Sequence, residues 1–598
     1  MMKVFVHNVK HTIHDSLSLF RKKLKAPLPE RGTFKNWWSS VLALISYSVG
    51  LGDFWRFPYL CSKHRGVTFL VPYFIAMICI GAPLYFLELA LGQYVSLAPT
   101  QLFSYLCPAL SGVGYGMILI LFAVVIYYNI VMAWTLFYLG AGLSFKKPEP
   151  WGTCEYQYMP QNCSAEPGGR LVASRYYFEH IVLNQPIGDE VELGANGIQS
   201  KMVLALGVAW LLVFVCLAGG IKSTKNVLIF TVFCPYVIMA CIWAWTADQS
   251  EDRMTYTLPD TFLQLDMNYL LTEISVWNDA STQVIYSLGV AYGGITTIAS
   301  YNKIDQNILR DTIIVCLFEA LTSIGCAYVV FSISYYMSKE FLMVSGNTPE
   351  LVFVTFPAVV SRMGSGGIWS LLFFFMIFAL GFDSQLMMVE ALTTALFDEF
   401  HILRRRYVAV MAAFCFVLFL LGIPMTLPEG KKIFDMLNVY SSSHSLLLLG
   451  FLEVVIVAYV YGFKKFLGII KDELRVWVPS PLYYFWAVTW LLLTPLSLLI
   501  LLGFSIYDEY QKVWKEEESF DKLFLTGIAL SFSVFFIVPL RAVFVFLRRW
   551  IKGGFRCKDT SDIWKATSNF CPEYVRNGRD PDIVNAHLPE GEFTCVGV

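Results

Sequence analysis

The chain predicts an all-α polytopic membrane protein of about twelve transmembrane helices, built as two inverted five-helix repeats in which the first and sixth helices are broken. Three observations carry this expectation. The 598 residues are 56% hydrophobic and only 15% charged, and the apolar residues gather into long runs where a soluble protein would space them amphipathically. Runs such as MVLALGVAWLLVFVCLAGG (202–220), NVLIFTVFCPYVIMACIWAW (226–245) and YYFWAVTWLLLTPLSLLILLGF (483–504) match the roughly 20 residues that cross a bilayer. Two of the spans are interrupted alike, by SVGLG (48–52) and SLGVAYGG (287–294), where a helix interior should avoid glycine.

Taken in order, the predicted spans are 37–61, 67–93, 112–143, 201–219, 225–245, 279–301, 309–336, 368–397, 404–423, 433–463, 481–504 and 522–547. Before them, residues 1–36 carry Lys10, Arg21, Lys22, Lys23, Lys25, Arg31 and Lys35 and lack the short apolar core of a cleavable signal, which predicts a cytoplasmic amino-terminal tail. Later basic pairs and triplets (Lys222 and Lys225, Arg404 to Arg406, Lys464 and Lys465, Arg548 and Arg549) fall on the same side, so both termini are expected in the cytoplasm of a multi-pass plasma-membrane protein. The transporter-like domain is then 37–547, with a large extracellular loop at 144–200 and a cytoplasmic tail at 548–598. That tail ends in Cys595-Val-Gly-Val598, which has the form of a prenylation box or of a short ligand for a cytoplasmic partner, beside the plainer reading of a solvated tail.

Charge and motif exclude other classes. A net charge of −1 and no phosphate-binding glycine loop give no reason to expect nucleic-acid or nucleotide partners. The eight histidines are dispersed, and no Ser/His/Asp arrangement or metal-ligand cluster emerges, so the chain is not expected to be an enzyme. Most of the 14 cysteines lie in the spans as small apolar residues. Cys154 and Cys163, in CEYQYMPQNC of the outward loop, are expected to form a disulfide, the alternative being two free external thiols. Asn162 heads an Asn-Cys-Ser sequon and is a candidate glycosylation site.

The motifs at the two breaks and around them, GLGDFWRFPYLC, VPYFIAMICIGAPLYFLELALGQY, YYNIVMAW, SLGVAYGGITTIASYNK and LGFDSQLMMVEALTTALFDEF, resemble those of the neurotransmitter:sodium symporters over residues 31–547. That family is itself a type case of inverted repeats with broken helices and a midplane site. The resemblance implies a second sodium site made by the carbonyls of Ser46, Val49 and Leu380 with the side chains of Asp383 and Ser384, hard oxygen ligands that suit an alkali cation. It also implies a solute pocket of Tyr47, Gly50, Gly52, Val124, Tyr128, Tyr286, Tyr292 and Ser384. At position 50 the monoamine carriers of the family have an aspartate, whereas Gly50 leaves room for a solute carboxylate, which Tyr128 would bind. A cytoplasmic gate would pair Arg31 with Asp398, and Phe34 stands where the family usually has tryptophan.

Three polar positions depart from the family pattern. Asp53 and Glu319 replace two asparagines of the first sodium site, which would contain Ser48, Asp53, Ser287 and Glu319 beside a chloride site of Tyr73, Gln283, Ser287 and Ser323. Asn438 stands where an acid normally faces the external-gate arginine, here Arg56. Two ionised carboxylates around one monovalent ion leave excess negative charge in a poorly solvated place. Four compensations remain open at this level: Glu319 as a fixed anion that removes the need for chloride, a proton kept on one carboxylate, a different cation, or pairing of Asp53 with Arg56, three residues on along the same helical face. KHRGVTF (63–69), in place of a glycine-rich stretch, also alters the outer end of the first two spans. The expected function is sodium-coupled import of a small zwitterionic solute, an amino acid or related neurotransmitter or osmolyte, by alternating access; the alternative is a non-transporting relative that acts as receptor or scaffold.

Overall fold

Helix is the only regular structure among the described residues, as expected of a chain that must satisfy its backbone polar groups within lipid. The computed structural model describes residues 32–143, 149–155, 167–186, 199–248, 264–337, 348–361, 366–441, 444–515, 522–552 and 562–572. Among the described residues, nine helical segments are long and apolar enough to cross a membrane, and Leu525–Ser531 with Ser533–Ile551 form a further span bent by 49°. The first and sixth predicted spans are the two that fail a length test, because each is split; with them the expected twelve are accounted for.

The first span consists of α1 (Trp37–Ser48) and α2 (Leu51–Lys63), separated by Val49 and Gly50 in extended conformation. The second is α3 (Val67–Ala76) and α4 (Ala82–Val95), joined through a π turn at Met77–Gly81. The third is α5 (Gly112–Gly142), and the fourth and fifth are α6 (Ser200–Leu217) and α7 (Ile221–Asp248). The sixth splits into α8 (Ile274–Leu288) and α9 (Gly294–Ala299), the seventh is α10 (Ile308–Met337) and the eighth α11 (Gly366–Glu399). Burial separates core from rim. The most apolar stretch of residues 367–399 is 83% buried, whereas that of residues 401–426 is 28% buried and turns Val408, Phe416, Val417 and Leu420 outward to face lipid.

Between α8 and α9 the chain takes three left-handed residues, Gly289 (φ 68°), Ala291 (φ 66°) and Gly293 (φ 78°). Glycine adopts this conformation freely; alanine does so at a cost and needs an outside hold. Glu88 of α4 supplies it, accepting the Ala291 N–H at 2.6 Å and the Thr296 hydroxyl at 3.2 Å. The two helices can approach because α4 presents Gly92, where a Cβ would lie 2.1 Å from the Thr296 carbonyl oxygen. Gly92→Ala therefore pushes backbone against backbone, and a loss of about 1–3 kcal/mol is expected. Thermal unfolding of the purified protein checks this, and an unchanged midpoint would contradict the packing described.

Candidate ion and solute site

All eight residues expected to line a solute pocket, Tyr47, Gly50, Gly52, Val124, Tyr128, Tyr286, Tyr292 and Ser384, border one cavity between the two helix breaks. Its volume is about 60 Å3, room for roughly five water-sized atoms. Gly50 is required by closeness: a Cβ there would sit 3.0 Å from Ser384 Oγ and 3.1 Å from the Tyr128 hydroxyl oxygen. The Leu51 N–H, at the start of α2, points at that hydroxyl over 3.4 Å. Leu121 and Met388 also line the cavity and were missed in the sequence. Their signal was helical spacing, since Leu121 lies three residues before Val124 and Met388 four after Ser384.

Beside the cavity, four of the five groups expected to hold a cation meet, the Ser384 hydroxyl and the carbonyls of Ser46, Val49 and Leu380. The Ser384 hydroxyl lies 2.9 Å from the Ser46 carbonyl oxygen, 2.9 Å from that of Val49 and 3.5 Å from that of Leu380. One hydroxyl proton can serve only one of three acceptors. Asp383 is 3% exposed, and its Oδ1 has no hydrogen-bond partner. Carbonyls crowded on one hydroxyl, with a buried carboxylate on the neighbouring residue, are oxygen donors of the kind that fit a desolvated alkali cation.

Of the residues expected at the first sodium and chloride sites, Asp53, Tyr73, Ser287, Glu319 and Ser323 form a single hydrogen-bonded cluster. Glu319 accepts from Ser287 Oγ at 2.5 Å, from the Tyr73 hydroxyl at 2.8 Å and from Ser323 Oγ at 3.1 Å. Three of the four residues assigned to chloride thus surround a carboxylate of the chain itself; the fourth, Gln283, is buried with neither amide atom bonded. Asp53 accepts the Gly50 N–H at 3.0 Å, which caps α2, and approaches Ser323 Oγ at 2.8 Å. Both carboxylates therefore meet at one serine hydroxyl. Ser48 donates to the Leu288 carbonyl at 3.1 Å and lies 3.5 Å from the Tyr85 hydroxyl.

Pairing of Asp53 with Arg56 is not found. Asp53 turns back to cap its own helix, while the Arg56 guanidinium lies over the Tyr286 ring, 5.0 Å from its centroid, a cation–π contact on the wall of the cavity. Asn438 sits on the helix Gly430–Tyr440. At the cytoplasmic gate Asp398 accepts the Ala98 N–H at 2.8 Å and pairs with Arg404; Arg31, its expected partner, lies outside the described residues. Phe34 donates its N–H to the Tyr301 carbonyl at 2.9 Å and meets that ring edge-on at 6.0 Å. Cys154 is disulfide-bonded, whereas Cys163 and Asn162 lie outside the described residues.

Comparison with known proteins agrees with this geometry. A model of the sodium:neurotransmitter symporter family matches residues 31–549. Over 554 residues the chain is 31% identical to the sodium- and chloride-dependent glycine transporter 1 of Xenopus laevis, covering 86% of this chain and 84% of that protein. It is 32% identical over 522 residues to the sodium- and chloride-dependent neutral and basic amino acid transporter B(0+) of Mus musculus, 80% of each chain. A match to the sodium- and chloride-dependent glycine transporter 2 of Xenopus laevis is 30% identical over 525 residues, 80% of this chain but 64% of that longer relative, so the chain spans less than two thirds of its length.

The cluster around Glu319 makes one prediction independent of activity. Tyr73→Phe removes a donor to a buried carboxylate and is expected to cost about 1–3 kcal/mol, read as a lowered thermal midpoint. A variant as stable as the parent would mean that the Tyr73 hydroxyl does not hold Glu319.

Proposed function

We propose that this chain, which belongs to the sodium:neurotransmitter symporter family, is a sodium-coupled symporter that imports a small amino acid by alternating access. The observation that carries the reading is the convergence of the Ser46, Val49 and Leu380 carbonyls on Ser384 beside the cavity, with the buried Asp383, whose Oδ1 has no partner, next in the chain. Ser384 belongs to both places, lining the cavity and touching the cation ligands. Ion and solute would then order the same two breaks, which is how one gradient drives the other. Gly50 leaves space for a carboxylate facing the Tyr128 hydroxyl and the amino-terminal N–H groups of α2, where the helix dipole favours negative charge. A cavity of about 60 Å3 suits a solute with few non-hydrogen atoms, glycine or a close relative.

Glu319 supports a finer reading of the coupling. Its carboxylate takes the Tyr73 and Ser287 hydroxyl donors that the family assigns to chloride and shares the third, Ser323, with Asp53, so the anion is covalently attached and external chloride is not required. Sodium is the coupling ion at the second site in this reading. Orientation follows the basic clusters, with both termini cytoplasmic, the Cys154 loop outside at the plasma membrane and the tail 548–598 facing cytoplasmic partners.

Radiolabelled uptake of glycine and other small amino acids in oocytes, with sodium and chloride varied separately, tests both levels. Sodium-dependent uptake is expected, and Asp383→Asn should reduce it by about tenfold or more at fixed sodium, equivalent to about 1.4 kcal/mol of lost coupling. Protein that reaches the surface but gives neither uptake nor current in any ionic condition would favour a receptor or scaffold. For the anion, the parent should be indifferent to chloride and Glu319→Gln should become chloride-dependent. Identical chloride responses in the two would sink the tethered-anion reading.

A further inference from the structure

KHRGVTF, the stretch that departs from the family at the outer end of the first two spans, builds a charged junction among four elements. His64 follows α2 and is 1% exposed. Its Nε2 lies 2.8 Å from Asp279 Oδ2 on α8, and its Nδ1 lies 2.9 Å from the Tyr269 hydroxyl on the short helix Met267–Thr272. Lys63 Nζ reaches the same Asp279 oxygen at 2.7 Å. Arg65 pairs with Asp266 and lies over the Tyr269 ring, 4.5 Å from its centroid. Hydrogen bonding from the Tyr269 N–H, with Arg65 adding to it, holds the Asp266 carboxyl below its usual range. From the side of α3, Phe69 stacks on the imidazole at 5.8 Å, and Thr68 bonds the Gln264 carbonyl and the Asp266 N–H.

We infer that His64 is an external proton-binding residue that regulates transport by tightening a clasp between the outer halves of the two broken helices. Both protonation states are fully hydrogen-bonded in place. Neutral imidazole donates from Nε2 to Asp279 and accepts the Tyr269 hydroxyl proton; the imidazolium donates from both nitrogens once that hydroxyl rotates. Burial therefore penalises neither state through an unmade bond, a precondition for a reversible switch. The groups facing it are Lys63 and Arg65 against Asp266, Asp279 and Glu273 at the end of the short helix, one more acid than base. A proton on His64 balances the cluster and converts its bond to Asp279 into a charge-assisted one. The junction is also continuous with the ion site. Phe69 packs against Phe57 at 5.7 Å and Tyr73 at 6.3 Å, and Tyr73 holds Glu319.

The inference rests on the transport reading and on the outward placement of the connection 246–278. In the full-length protein in oocytes, the maximal uptake rate is expected to fall at least about twofold as external pH drops from about 7.5 to about 5.5, the range in which histidine charges. His64→Gln keeps a donor and an acceptor but cannot titrate, and should flatten this profile. Acidifying the cytoplasm alone should not reproduce the effect. A His64→Gln profile that follows the parent's overturns the inference. If that variant fails to reach the surface, Tyr269→Phe decides: it withdraws the Nδ1 partner, and a pH profile unmoved by it counts against the clasp. If no solute is carried, the transport reading fails by itself; labelling of Val124→Cys by an impermeant thiol reagent, above the labelling of the parent, then reports opening. Labelling slowed by external acid only while His64 is present supports the clasp, and labelling indifferent to pH rejects it.

Discussion

Breaking a helix inside a membrane strands backbone N–H and C=O groups where no lipid can bond them, and the arrangement of this protein follows from how those groups are satisfied. At the first break the Gly50 N–H is taken by Asp53, and the Ser46 and Val49 carbonyls gather on Ser384. At the second, the Ala291 N–H is taken by Glu88. Each break thus recruits side chains from a neighbouring helix. The Ser46 and Val49 carbonyls share one hydroxyl proton, so the repair of the first break leaves acceptors under-satisfied beside the cavity.

Electrostatics explains why the departures from the family occur together. A buried carboxylate at position 319 needs hydrogen-bond donors, and Ser287, Tyr73 and Ser323 turn toward it. Asp53 is stabilised separately by the amino terminus of α2, where a helix dipole supports negative charge. Arg56, without an acid at position 438, rests on the Tyr286 ring.

Much of the architecture was legible in the residues. The apolar runs located the spans, and the glycines at 50, 289 and 293 marked the breaks because only glycine approaches Ser384 and Tyr128 so closely or takes positive φ at no cost. The motif match named every cavity residue except Leu51, Leu121, Gly289 and Met388, which have no polar side-chain group to mark them. His64 was read only as part of an altered stretch. Its partners Tyr269 and Asp279 lie more than two hundred residues away, and nothing local announces them.

The sequence by itself determined the fold class and the positions of the broken helices, because hydropathy and glycine placement are local properties of a chain in lipid. Only the tertiary structure bore on the four ways of compensating Asp53 and Glu319. It removed the pairing with Arg56 and placed Glu319 among the chloride donors, since which hydroxyls face a carboxylate is set by how α3, α8 and α10 pack against one another.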